Sequence, residues 1–152
     1  MADGSPPDAF EAAVRLLALR PHSALELRRK LRRRGCPREE VEAALERVRD
    51  LGYQSDTGFA ESLVRARASS RGRAAMAADL AARGIDRSAA GQALAEITPE
   101  IELDAARRVA ARMSGVDPAR LGARLQRRGF SSETVRRLMR ERAAARGEDP
   151  LD

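Results

Sequence analysis

Apolar residues recur along this chain at intervals of three and four, and three times the pattern is halted in the same way. Leu31-Arg32-Arg33-Arg34-Gly35, Leu80-Ala81-Ala82-Arg83-Gly84 and Leu125-Gln126-Arg127-Arg128-Gly129 each read as the last turn of a helix with cations near its end and a glycine just past it. Glycine takes the left-handed backbone conformation there without a Cβ penalty, and the arginines complement the negative end of the helix dipole. The three glycines stand 49 and then 45 residues apart. Each is followed by an apolar residue, Cys36, Ile85 or Phe130, and then by Pro37, Asp86 or Ser131. Asp86 and Ser131 are good N-caps for a following helix, whereas Pro37 has no side chain able to cap. Four residues beyond them come Val41, Ala90 and Val135, the spacing of a hydrophobic staple onto the preceding apolar residue.

A further helix is predicted ahead of each pair. Phe10, Val14 and Leu17 recur at helical spacing until Pro21, after which Ser23 and Glu26 form a capping box. Gly52-Tyr53 turns the chain, and Asp56 is expected to cap a helix carrying Phe59, Ala60, Leu63 and Val64. Thr98-Pro99 opens a helix through Ile101, Ala105, Val109 and Met113, ended by Ser114-Gly115. Asp117 then caps the next, with Pro118 at its first position. In the second unit the last helix is thin, because Gly91 interrupts it and large apolar residues are few.

The pattern predicts an all-α fold: an elongated tandem array of three three-helix, helix-turn-helix-like units, about nine helices in all. The expected divisions are a disordered tail over residues 1–7, repeats over 8–52, 53–97 and 98–146, and a second tail over 147–152. Composition agrees. Hydrophobic residues make up 43% but aromatics only 3%, and much of the apolar content is alanine. Alanine buries little area, so shallow helix-on-helix seams suit this chain better than one deep core.

Charge adds a partner. The net charge is +6, and of 29 basic residues only Lys30 is a lysine. Arginine binds phosphates and carboxylates bidentately, which points to a polyanionic partner. A GC-rich coding sequence favouring arginine at solvated positions is the competing explanation. One cysteine, Cys36, excludes an internal disulfide, and with His22 it is too little for a common structural zinc site. No glycine-rich phosphate loop occurs. No catalytic residue, cofactor or metal is expected, no apolar run is long enough to span a membrane, and a cytoplasmic location follows.

Taken in order, Ser23-Ala24-Leu25-Glu26-Leu27 with Lys30-Leu31 and Gly35, then Leu51-Gly52-Tyr53 with Asp56 and Phe59-Ala60, then Leu80 to Ile85, then Arg127-Arg128-Gly129-Phe130-Ser131, resemble the RecX family. Each motif alone is mainly helix punctuation; the ordered set, from Phe10 to about Glu141, carries the resemblance. Cys36-Pro37 and the near absence of lysine depart from the pattern. The resemblance implies a bacterial regulatory protein that binds RecA–DNA filaments. It would inhibit the recombinase, ATPase and coprotease activities of RecA and so modulate DNA repair, homologous recombination and the SOS response. Single- and double-stranded DNA are expected partners beside the RecA filament, and a monomer is expected. The alternatives are a sequence-independent helical DNA-binding or nucleoid-associated protein with no role specific to RecA, and a helical adaptor with a purely protein partner and an incidental arginine surface.

The candidate contact residues are basic. Arg28, Arg29, Lys30, Arg32, Arg33 and Arg34 spread over the outer surface of a helix whose inner face is Leu27 and Leu31. Arg120, Arg124, Arg127 and Arg128 form a second stripe opposite Leu121 and Leu125, continued by Arg136, Arg137 and Arg140. Each stripe reads either as a surface for DNA phosphates or an acidic protein groove, or as a solvated face compensating a helix dipole. Arg65, Arg67, Arg71 and Arg73 bracket a turn and are weaker candidates. Tyr53 and Phe59 are expected in the core. Glu39, Glu40, Glu42 and Glu46 are expected either to pair with Arg38, Arg47 and Arg49 on their own helix or to favour its N-terminal half.

Overall fold

The computed structural model describes residues 4–5 and 7–147; the remaining residues of the two expected tails lie outside it. Among the described residues there are nine α-helices and no strand. They are α1 (Ala9–Leu19), α2 (Ala24–Arg33), α3 (Arg38–Asp50), α4 (Asp56–Arg67), α5 (Arg73–Ala82), α6 (Arg87–Leu94), α7 (Pro99–Ala111), α8 (Pro118–Arg127) and α9 (Ser132–Ala145). The chain condenses into two compact units. One takes the chain up to Ser62 together with Leu80–Ala90, and the other takes Leu63–Asp79 and the chain from Gly91 onward. The middle three helices therefore contribute to both.

The three glycine stops are built alike. Gly35, Gly84 and Gly129 have φ of +89°, +76° and +90°. In each case the glycine amide donates three residues back, and the next amide donates to the leucine carbonyl five residues back. The latter bonds are Cys36 to Leu31, Ile85 to Leu80 and Phe130 to Leu125, at 3.0–3.2 Å. This is the Schellman arrangement, which satisfies carbonyls the helix leaves open. Asp86 and Ser131 cap as expected, accepting from Ala89 at 2.8 Å and Thr134 at 3.1 Å. Pro37 starts α3 with no side-chain cap.

In the first unit α1, α2 and α3 close over Leu27, Leu31, Val41 and Val48, all fully buried, with Leu16, Leu45 and Cys36 around them. Each such side chain contributes about 1.5–3 kcal/mol by leaving water. On α1 the most deeply buried positions are small. Ala9, Ala12, Ala13 and Leu16 pack inward, while Phe10, Val14 and Leu17 flank the core half-buried. Small alanines let α1 lie close on α3, and that close approach outweighs the larger side chains on the adjacent stripe. In the second unit α7, α8 and α9 enclose Leu103, Val109, Leu121, Leu125, Phe130 and Leu138.

Two cap assignments and one helix end differ from expectation. Ser55, not Asp56, caps α4, its hydroxyl accepting from the Gly58 amide at 3.1 Å. The Asp56 carboxylate instead accepts from the amide of Ala24 and from Gln54 Nε2, both at 2.9 Å, so it serves the start of α2. Ser23 caps α2, but the Glu26 carboxylate leaves the capping box for two arginines: it accepts from Arg20 at 2.8 Å, and Arg83 Nε lies 3.2 Å away as an ion pair. Helix α7 ends at Ala111, ahead of Met113.

Candidate functional site

On α2, Leu27 and Leu31 point inward and leave the basic residues outside, but those residues are not equivalent. Arg28 makes a forked contact with Glu42 of α3 at 2.7 and 3.2 Å. The hydrogen bond holds the Glu42 carboxyl below its usual range and raises Arg28 correspondingly. Glu42 was expected to pair on its own helix; the α2–α3 packing offers it a better-placed guanidinium. Lys30 also turns away from the cluster. Its Nζ lies 2.8 Å from Nε2 of His22, a histidine only 2% exposed, whose Nδ1 lies 2.9 Å from the Arg20 carbonyl. That geometry requires neutral imidazole with Nδ1–H donating to the carbonyl and Nε2 accepting from the ammonium. Arg29, Arg32, Arg33 and Arg34 remain exposed and make no ion pair among the described residues.

The second stripe is more open. Helix α8 contains no acidic residue, and Leu121 and Leu125 bury its inner face. Arg124 and Arg127 are exposed and Arg128 half-buried, with no ion pair among the described residues, and Arg120 only approaches Asp117 at 3.5 Å. On α9, Arg136 and Arg140 are likewise exposed, whereas Arg137 is engaged with Glu100 at 3.0 Å. Exposed ion pairs of this kind contribute little to stability. The structure thus separates a set with no ion pair among the described residues, Arg29, Arg32, Arg33, Arg34, Arg124, Arg127, Arg128, Arg136 and Arg140, from an engaged set, Arg28, Lys30 and Arg137, with Arg120 loosely paired to Asp117 between them. Among the weaker candidates, Arg67 pairs with Asp79 and Arg73 donates to the Leu94 carbonyl at 2.9 Å.

Two features were not legible as such in the sequence. Glu102 of α7 is 6% exposed and has no cationic partner among the described residues. Its carboxylate accepts from the Arg73 amide at 2.9 Å, from Ser131 Oγ at 3.1 Å and from Thr134 Oγ1 at 2.6 Å. These donors belong to the starts of α5 and α9, so one buried anion compensates two positive helix ends. It lines a cavity of about 410 Å³ with Arg73, Thr98, Ser131 and Arg137. Tyr53, expected in the core, is 56% exposed; the turn at Gly52 carries it outside, beside Val14, Leu17 and Ala18. Phe59 is buried as expected.

Among the described residues no group of three or more His, Cys, Asp or Glu side chains is placed to hold a metal ion, and no helix is long and apolar enough to cross a membrane. The basic faces ride on a repeated three-helix frame, and that frame has known relatives. Residues 9–47 match the first three-helix domain of RecX and residues 55–94 the second. The chain is also 35% identical to the regulatory protein RecX of Thermobifida fusca (strain YX), over 94% of this chain and 85% of that one. The chain belongs to the RecX family. A second RecX regulatory protein, from Chromohalobacter salexigens, is 40% identical over 84% of this chain and 88% of its own length. Two crystal structures share the fold. RecX from Lactobacillus salivarius superposes with a TM-score of 0.75 at 23% identity, covering 88% of this chain and 93% of that one. Another regulatory protein RecX gives 0.77 at 25% identity, covering 86% and 70%. RecX relatives thus place this chain among regulatory proteins, with the all-α array of three-helix domains expected from its sequence.

Proposed function

We propose that this chain is a non-enzymatic, monomeric, cytoplasmic regulator that binds RecA–DNA filaments and inhibits the recombinase, ATPase and coprotease activities of RecA, thereby modulating DNA repair and the SOS response. The observation that carries the reading is the acid-free α8 surface on a RecX-family frame. Arg124, Arg127 and Arg128, continued by Arg136 and Arg140, offer guanidinium groups that make no ion pair among the described residues, while Arg120 at the start of the helix has only the exposed Asp117 carboxylate 3.5 Å away. Like charges so close together repel, and a phosphate backbone relieves that repulsion while releasing its own counterions. Several modest contacts made by one folded body gain from effective concentration, so a filament repeating its subunits and phosphates suits such a surface. No catalytic step is needed: occupying the filament is enough to obstruct it.

Co-sedimentation with RecA assembled on single-stranded DNA tests the reading, using DNA alone as the reference. The chain is expected to pellet with the filament at salt concentrations where it no longer binds naked DNA. The same α8 surface also favours the second reading, a sequence-independent DNA-binding protein. In that case RecA adds nothing, and binding follows the DNA with a log–log salt slope of about 0.9 per neutralised duplex phosphate.

A further inference from the structure

Among the described residues four large hydrophobic side chains are well exposed, and three of them fall at one end of the first unit: Leu19 at 82%, Leu51 at 49% and Tyr53 at 56%. Leu19 closes α1, and Leu51 and Tyr53 flank the glycine that ends α3. Between these elements Val14, Leu17, Ala18 and Tyr53 line a cavity of about 270 Å³. Val14 and Leu17 flank the core half-buried, Leu19, Leu51 and Tyr53 stay outside it, and the arginine stripes use none of them. A leucine left four-fifths in water beside an open apolar groove is the kind of surface that a partner covers.

The composition of the rim identifies the kind of partner. The C-terminal half of α1 carries Arg15 and no acid, Arg20 follows it directly, and α3 presents Arg47 and Arg49 beside Glu46 and Asp50. Arg20 is committed to Glu26, but Arg15 has no ion pair among the described residues, and Arg47 lays its guanidinium 3.8 Å from the centroid of the Phe10 ring, on the flank of the same helix. Stacked in this way, Arg47 keeps its charge free for a carboxylate. Aliphatic walls with a single tyrosine make a poor platform for stacked bases, and the net charge of +6 opposes a second copy of this chain. We infer that the α1–α3 groove of the first unit docks an acidic peptide segment of a protein partner, with an apolar side chain seated between Leu17 and Tyr53 and its flanking carboxylates facing Arg15 and Arg47. The inference rests on the filament reading only in supposing that this segment belongs to a filament protein; the arginine stripes are then left to the nucleic acid.

The test uses the isotope-labelled full chain and two synthetic peptides with the same leucine–phenylalanine anchor, one flanked by glutamates and one by lysines. The glutamate peptide is expected to shift the amide resonances of residues 14–19 and 51–53, the lysine peptide to leave them in place, and the double variant Leu19→Glu, Tyr53→Glu to weaken binding at least tenfold. Both substituted side chains are exposed, and an unchanged circular dichroism spectrum checks that the variant folds. Absence of these shifts, equal shifts with the lysine peptide, or concentration-dependent shifts of the same amides in the free protein would each overturn the inference, the last by making the groove a self-interface. Sedimentation with RecA on single-stranded DNA then separates the two claims. A wild-type chain that fails to pellet refutes the filament reading and leaves the groove to the peptide result. A wild-type chain that pellets no better than the double variant refutes the groove's part in filament binding.

Discussion

The backbone of Gly72, at the turn into α5, lies directly against that of Gly129, the glycine stop of α8. The Gly72 amide donates to the Arg128 carbonyl at 2.9 Å, and the Ala74 amide donates to the Gly129 carbonyl at 3.2 Å. A Cβ at Gly72 would fall on the Gly129 backbone, and one at Gly129 would fall on Ala75. Gly129 is thus fixed twice, by a positive φ and by this contact. Gly72→Ala and Gly129→Ala are each expected to destabilise the protein by about 3 kcal/mol or more in urea unfolding, since backbone has to move apart. Gly91→Ala is the contrast. It sits within α6 with nothing near its Cβ position and should stabilise by about 0.5–1 kcal/mol. Equal effects at the three glycines would contradict the close approach.

Glu102 joins the starts of α5 and α9 to α7 through three neutral donors. Glu102→Ala leaves an amide and two hydroxyls without their acceptor, and a loss of about 2–4 kcal/mol is expected in urea unfolding. Glu102→Gln keeps the shape and one acceptor oxygen and should lie between that variant and the wild type. A Glu102→Ala protein as stable as wild type would show that the carboxylate carries none of this junction.

How much of this was legible in the sequence depends on scale. The helix stops were, because Gly35, Gly84 and Gly129 meet a steric requirement that few other residues can meet. The fold class followed from them. The burial of α1 was only half visible, since Phe10, Val14 and Leu17 mark the helix and flank the core while the deepest seam is lined by Ala9, Ala12 and Ala13, which carry little hydrophobic signal. Glu102 gave no signal, because a carboxylate in the first turn of α7 looks like any acid favouring a helix N-terminus. Lys30 stood out as the single lysine among 29 basic residues, but nothing in the sequence tied its ammonium to His22. Of the arginine stripes, the sequence showed the members but not which of them intramolecular carboxylates already hold.

Stability should depend on His22 in a defined pH window. Burial pushes its imidazole below the ordinary value of 6.5, and the charges of Arg20 and Lys30 push the same way, against the opposing Arg20 carbonyl and Glu26. The unfolded chain therefore takes up the proton first as pH falls. The His22 contribution is complete above pH 6.5 and is lost as pH drops from there towards the lowered folded value. Urea midpoints measured between pH 7.5 and 5.5 should decline more steeply for wild type than for His22→Gln. Parallel curves would mean that His22 titrates as it does in the unfolded chain.

The free and engaged arginines should separate in DNA binding. Replacing Arg124, Arg127 and Arg128 together with glutamine is expected to weaken single-stranded DNA binding at low salt by at least tenfold, and to reduce the log–log salt slope by about 0.7 for each phosphate no longer neutralised. Arg137→Gln, which removes a residue held by Glu100, should change affinity less than twofold. If the single substitution matched the triple one, the α8 stripe would not be the contact surface.

The most direct test of the central claim is RecA ATP turnover on single-stranded DNA with this protein titrated in. A filament-directed regulator predicts strong inhibition at well below one chain per RecA, relieved by the triple α8 substitution. Unchanged turnover with the chain in excess, while RecA and the DNA are both competent, would contradict it and leave general DNA binding as the better account.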